Sequence, residues 1–235
     1  MPALNRPSAP EIVLCRHGRT RLNIGVERIR GWQNIPLDQL GIDQSKGLAK
    51  DIAEHAPAVI FTSDLSRSRE TAEIIDDAIP RRVQIIAMME LRPWNVGDLT
   101  GRPVEQIKPE LLRLLKAKTE PVPGGESYAQ FAERFVSAFV KITEFARKLG
   151  KPIVVVTHSR GIRLIRALLN GGIKAVMTAP PDDVLLKDED PIEPSGHAVL
   201  RWSGRRWEWT GQTDSVHTPE TGPKSDRSKL RTLGS

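Results

Sequence analysis

Two short clusters in this chain carry side chains that could do chemistry. Arg16-His17-Gly18 ends the apolar run Ile12-Val13-Leu14-Cys15, and His158-Ser159-Arg160-Gly161 follows the run Ile153-Val154-Val155-Val156-Thr157. A third charged group, Arg67, comes shortly after Ala58-Val59-Ile60-Phe61-Thr62-Ser63. Apolar, β-branched runs of this length read as buried strands, and open α/β sheets bind ligands beyond the carboxyl ends of such strands. Parallel packing of the three runs, which their alternation with helical segments requires, brings Arg16, His17, Arg67 and His158 to one edge. Two guanidinium forks and two imidazoles fit a dianionic phosphoryl group: arginine pairs phosphate oxygens bidentately, and histidine can accept a phosphoryl group as a nucleophile. The same set is a poor metal site, because adjacent arginines repel a cation. No Ser-His-Asp arrangement, phosphate-loop signature or dinucleotide fingerprint is present.

The elements that must position these groups follow from periodicity and punctuation. Strands are predicted at 11–16, 58–63, 83–87 (an edge strand) and 152–157. A helix is predicted over 42–55, and another is capped by Ser63 or Asp64 and carries Ala72, Ile75 and Ile79. Met88 to Pro103 reads as an irregular loop, and helical pattern resumes at Val104, with Pro109 opening a fresh helix through Leu115. A long amphipathic helix shows Tyr128, Phe131, Phe135, Phe139, Ile142, Phe145 and Leu149 as one core face and stops at Gly150. A helix from Gly161 to Leu169 is closed by Asn170-Gly171-Gly172. Residues 176–186 fit turn or strand, and 197–209 form a hairpin around Ser203-Gly204. Residues 1–10 form a flexible arm, 11–210 a single α/β domain and 211–235 a disordered polar tail.

Composition narrows the class further. The net charge of +6 is spread along the chain, and its densest part, 201–209, interleaves arginine with tryptophans expected to face the core. A basic cleft for a small phosphorylated substrate is therefore expected, rather than a nucleic-acid surface. No apolar stretch approaches a membrane span and the N-terminus lacks a signal-peptide core, so a cytoplasmic protein without a membrane partner is expected. The single cysteine, Cys15, falls inside the first strand and reads as a buried hydrophobe. His55, His197 and His217 read as structural or surface histidines, and Arg69 and Glu70 as an ordinary helix face.

The motifs taken in order resemble the histidine phosphatase superfamily, also called the phosphoglycerate mutase-like family. Its pattern is matched by Arg16-His17-Gly18 with Thr20 and Asn23, the segment from Gly31 to Ser45, Thr62 to Ala72, Gly97 to Gly101, Pro123 to Ser127, and Val154 to Gly161. The resemblance implies a three-layer sandwich, a mostly parallel central sheet with helices on both faces. It also implies roles: His17 as nucleophile forming a phosphohistidine, Arg16, Arg67 and His158 binding and stabilising the phosphoryl group, and Asn23 helping to hold the pocket. Neither a metal nor an organic cofactor is implied.

Two departures stand out. Where many relatives carry the carboxylate that protonates the leaving group, this chain has Pro93, and Thr100 replaces a second glutamate. Glu90, Asp98 and Glu126 remain candidate acids, Glu90 the first of them. Arg19 and Ser159 stand where relatives often have Glu and Gly, and Arg19 would add positive charge near the mouth unless it is a plain surface residue. Only residues 101–122 separate the acid loop from Gly124-Gly125-Glu126-Ser127, shorter than in mutases of the family, which favours a water-accessible phosphatase site. The expected function is therefore hydrolysis of a phosphomonoester, with mutase activity or a non-catalytic phosphate-binding module as alternatives.

Overall fold

Residues 9–26, 28–178 and 192–213 are described in this computed structural model. A six-stranded sheet in the order β3-β2-β4-β1-β5-β6 lies at the centre. The strands are β1 (Glu11–Arg16), β2 (Val59–Ser63), β3 (Gln84–Met88), β4 (Ile153–Thr157), β5 (His197–Trp202) and β6 (Trp207–Thr213). The first four are mutually parallel, and β5 and β6 close one edge as an antiparallel pair. Because the period of a strand is two, β1 sends Val13 and Cys15 to one face and Ile12 and Leu14 to the other.

Helices α1 (Gln39–Glu54) and α2 (Ser66–Ala78) cover the Val13 face through Leu48, Ile52, Ala72 and Ile75. Helices α3 (Val104–Ala117), α4 (Tyr128–Leu149) and α5 (Ser159–Thr178) cover the Ile12 face, where Phe131, Phe135, Phe139 and Trp94 form the larger core. This is the three-layer sandwich that the resemblance implied, with β3 at the sheet edge.

Local differences from the sequence expectations have physical causes. α1 starts at Gln39, earlier than expected, because the Asp38 carboxylate accepts the Gly41 N–H at 2.8 Å and caps it. Neither Ser63 nor Asp64 caps α2: the Asp64 carboxylate is committed to Arg92, and the Ser66 N–H finds Asn34 Oδ1 at 2.8 Å instead. Pro109 opens no new helix, since α3 runs through it. Burial of Ile107, Leu111, Leu114 and Leu115, at about 1.5–3 kcal/mol each, outweighs the roughly 3 kcal/mol cost of an internal proline.

In α4, Ala146 rather than Phe145 continues the buried seam; Phe145 and Leu149 are 41% and 36% exposed, Phe145 meeting the Phe61 ring edge-on. α5 begins at Ser159, breaks at Gly171 and Gly172 and resumes helically to Thr178, within the ambiguous 176–186 stretch, whose remaining residues lie outside the described ones. The hairpin turns at Gly204, whose φ of 92° suits glycine, and buries Trp207 against the core, with Trp202 and Trp209 packed partly against it. β6 continues to Thr213, past the expected boundary at Gly211, while the rest of the tail, His217 and most of the N-terminal arm lie outside the described residues.

Candidate active site

β4 lies between β1 and β2, so the carboxyl ends of all three meet at one edge, Arg16 pairing in register with Thr157 and Thr62 with Val156. Just beyond that edge α2 and α5 begin, and the positive ends of their backbone dipoles lie there. Arg16 is the last residue of β1, His17 follows it, His158 follows β4, and Arg67 is the second residue of α2. The four groups identified in the sequence are thus gathered in one place.

His17 is 3% exposed and donates its backbone N–H to Thr157 O at 3.0 Å. Its Nδ1 lies 2.7 Å from Gly18 O, a carbonyl that can only accept, so Nδ1 carries the proton and Nε2 presents a lone pair. The His158 ring, also 3% exposed, stands edge-on to His17, with centroids 5.0 Å apart and planes at 64°. Ser68 Oγ is 3.4 Å from His158 Nε2, and His158 Nδ1 has no hydrogen-bond partner among the described residues. Burial and the nearby arginines, Arg67 foremost, hold both imidazoles well below their usual pKa. Both rings are therefore neutral at pH 7, as a nucleophile requires.

Arg67 is 1% exposed and anchored from below: Nη1 donates to Gln33 O at 2.8 Å and Nη2 to Gly31 O at 3.3 Å. Its Nε–H has no partner among the described residues. Burial, then repulsion from Arg30, pushes its pKa down to about 9, which still leaves it charged at pH 7. Arg16 donates from Nη1 to Ile192 O at 2.8 Å. The buried, charged Arg67 Nε–H, without an acceptor among the described residues, is costly to leave so, and an anionic oxygen is the group that would satisfy it.

Asn23 is exposed, and its role is to build the turn. Its Oδ1 accepts from Thr20 N–H, from Thr20 Oγ1 and, at 2.8 Å, from Arg30 Nη1. Arg30 escaped the sequence analysis, although its charge acts on His17, His158 and Arg67 alike. It lies in a loop without periodicity; the available signal was a cation directly before the matched Gly31-Trp32 segment. Arg19 does not add charge at the mouth, because Asp38 pairs with it at 2.9 Å. Arg69 is the plain surface pairing expected, with Glu73 at 3.7 Å, whereas Glu70 accepts the Leu37 N–H. His55 pairs with Glu11, and His197 is buried near it, as structural groups.

The carboxylates divide clearly. Both oxygens of Glu126 are occupied, by Arg134 at 2.6 and 3.1 Å and by the Asn95 N–H at 2.9 Å. That makes Glu126 a structural clamp beneath Pro93. Glu90, in the turn after edge strand β3, and Asp98 are exposed. Among the described residues none of the three is hydrogen-bonded to the site, and every charged group that acts on the two histidines is a cation. No cluster of His, Cys, Asp and Glu suited to a metal occurs among the described residues.

A family model, Histidine phosphatase superfamily (branch 1), matches residues 12–180. Phosphoglycerate mutase-like protein 4 from Arabidopsis thaliana is 27% identical over 219 residues, covering 90% of this chain and 88% of its own. The mycobacterial glucosyl-3-phosphoglycerate phosphatase, solved with VO3, is similar in structure with a TM-score of 0.66 and 25% identity, over 86% of this chain and 98% of the other. A phosphoglycerate mutase from Bacillus anthracis shares the fold alone, with a TM-score of 0.71 at 18% identity over 89% and 96% of the two chains. On the match across residues 12–180 and the gathering of Arg16, His17, Arg67 and His158, this chain belongs to the histidine phosphatase superfamily.

Proposed function

We propose that this protein is a phosphatase that hydrolyses a phosphomonoester through a phosphohistidine on His17. The observation that carries the proposal is the His17 imidazole itself: neutral, with its proton held on Nδ1 by Gly18 O so that Nε2 keeps its lone pair, its ring 5.0 Å from that of His158 and under the charge of Arg67. In the first step Nε2 attacks phosphorus, the N–P bond forms, and the ester P–O bond breaks with its electron pair leaving on the alcohol oxygen. Arg16, Arg67 and a neutral His158 N–H stabilise the equatorial oxygens, which carry more charge in the transition state. In the second step water attacks the phosphohistidine, the electron pair returns to Nε2, and the water proton leaves with phosphate or to solvent.

With Pro93 in place of an acid, the leaving oxygen departs without a carboxylic proton donor, and a stable alkoxide leaving group is favoured. The spread of the +6 net charge supports a small anionic substrate, and the single buried Cys15 supports a reducing, cytoplasmic location. Among the described residues no helix is long and apolar enough to cross a membrane. The mutase-like relative favours a second reading, in which the phosphoryl group returns to an acceptor alcohol instead of water. Incubating wild type and His17→Ala with p-nitrophenyl phosphate and a panel of phosphorylated metabolites decides between them. Release of inorganic phosphate by wild type alone supports the phosphatase; isomerised ester without free phosphate supports the mutase.

A further inference from the structure

The nucleophile is oriented through a glycine, and glycine is the residue least able to orient anything by itself. Gly18 is required by space: a Cβ there would lie 2.5 Å from Gly41 O and 2.6 Å from Ser45 Oγ in the first turns of α1. Its carbonyl nonetheless fixes the His17 tautomer, so the two peptide groups flanking Gly18 must be held from outside. Each has one buried polar side chain on it. The Gly18 N–H donates to Thr71 Oγ1 at 3.1 Å, and the following N–H, of Arg19, donates to Gln44 Oε1 at 3.2 Å. Thr71 is 0% and Gln44 3% exposed, so water does not compete for either bond.

Thr71 does more than its neighbour. Its hydroxyl proton goes to Arg67 O at 2.8 Å, the usual back-bond of a helical threonine, which leaves its lone pairs for Gly18. One hydroxyl thus joins the loop of the nucleophile to the turn of α2 that carries the phosphate-binding arginine. Ser68, on the same turn, lies beside His158.

We propose that Thr71 and Gln44 are positioning residues for the nucleophile, clamping the peptides on either side of Gly18 so that its carbonyl holds His17 in the Nδ1–H tautomer. Thr71 also sets the distance between His17 and Arg67. The kinetic part of this inference rests on the phosphatase reading; the tautomer part does not.

The experiment compares wild type with Thr71→Val and Gln44→Met, which keep shape and remove the acceptor, and with Thr71→Ser, which keeps the hydroxyl. The 15N resonances of the His17 ring, assigned against His17→Asn, report the tautomer without any substrate. Wild type and Thr71→Ser are expected to show the Nδ1–H form, and Thr71→Val and Gln44→Met a mixture of both tautomers. With p-nitrophenyl phosphate as probe, kcat is expected to fall by about 10- to 100-fold in those two variants, the usual cost of a misplaced reacting group, and to recover in Thr71→Ser. The inhibition constant of inorganic phosphate is expected to stay within about threefold for Gln44→Met, which does not touch Arg67, and to rise for Thr71→Val. If either valine or methionine variant fails to fold by circular dichroism, Thr71→Ala and Gln44→Ala are judged by the same ring signals. A single Nδ1–H tautomer in both the folded Thr71 variant and the folded Gln44 variant overturns the inference, whatever the enzyme's activity.

Discussion

The imidazoles of His17 and His158 stand edge to face with centroids 5.0 Å apart, both buried and both among arginines. A proton on either ring would repel the other and the arginines, so the pair is built to stay neutral.

A pH dependence follows. Each depressed imidazole stays neutral in the folded state while its unfolded counterpart protonates below about pH 6.5. The unfolded chain therefore binds more protons on the acid side, and stability is full above 6.5 and lost as pH falls. Denaturant titrations between pH 7.5 and 5 are expected to show a loss approaching 1.4 kcal/mol per pH unit for each such histidine, with a smaller slope in His158→Asn. For the same reason kcat/KM is expected to remain level down past pH 6.5 before its acid limb begins. An acid limb centred at 6.5 or above would contradict the neutral pair.

Arg30 sharpens that profile. Its charge is one of those holding both histidines down, so Arg30→Met is expected to move the acid limb of kcat/KM to higher pH while lowering the plateau. An unshifted limb would mean that the Arg30 guanidinium does not bear on the site.

Arg67 and Arg69 differ in place and so in consequence. Arg67→Lys removes the fork that holds Gly31 O and Gln33 O and the buried Nε–H. It is expected to cost about 100-fold or more in kcat/KM and about 2–4 kcal/mol in stability. Arg69→Lys, an exposed partner of Glu73, is expected to change stability by less than about 0.5 kcal/mol.

The carboxylates separate in the same way. Glu126→Gln breaks a half-buried pair with Arg134 and is expected to lower stability by about 2–4 kcal/mol. Glu90→Gln and Asp98→Asn are expected to leave rates within about threefold, and p-nitrophenyl phosphate to outpace glycerol phosphate by about 100-fold or more. A selective loss of glycerol phosphate hydrolysis in Glu90→Gln would instead make Glu90 the acid.

Much of this was legible in the chain because the signals were local. The strand runs before Arg16 and His158 had to be buried, and alternation with helices had to make them parallel, so the gathering of His17, His158, Arg16 and Arg67 followed. Asn34 capping α2, Asp38 neutralising Arg19, Arg30 lending charge and Thr71 holding Gly18 were not legible. Each is a polar contact across the fold with no periodicity to announce it. Pro109 inside α3 and exposed Phe145 in α4 show the converse: a local rule yielding to packing on one side and to the geometry of a helical seam on the other.

The most direct measurement is to mix enzyme with 32P-labelled substrate, quench in base and ask where the label resides. A phosphohistidine on His17, stable to base, labile to acid and absent from His17→Ala, is the predicted result. Turnover of substrate by wild type with no label on His17 at any quench time would contradict the account.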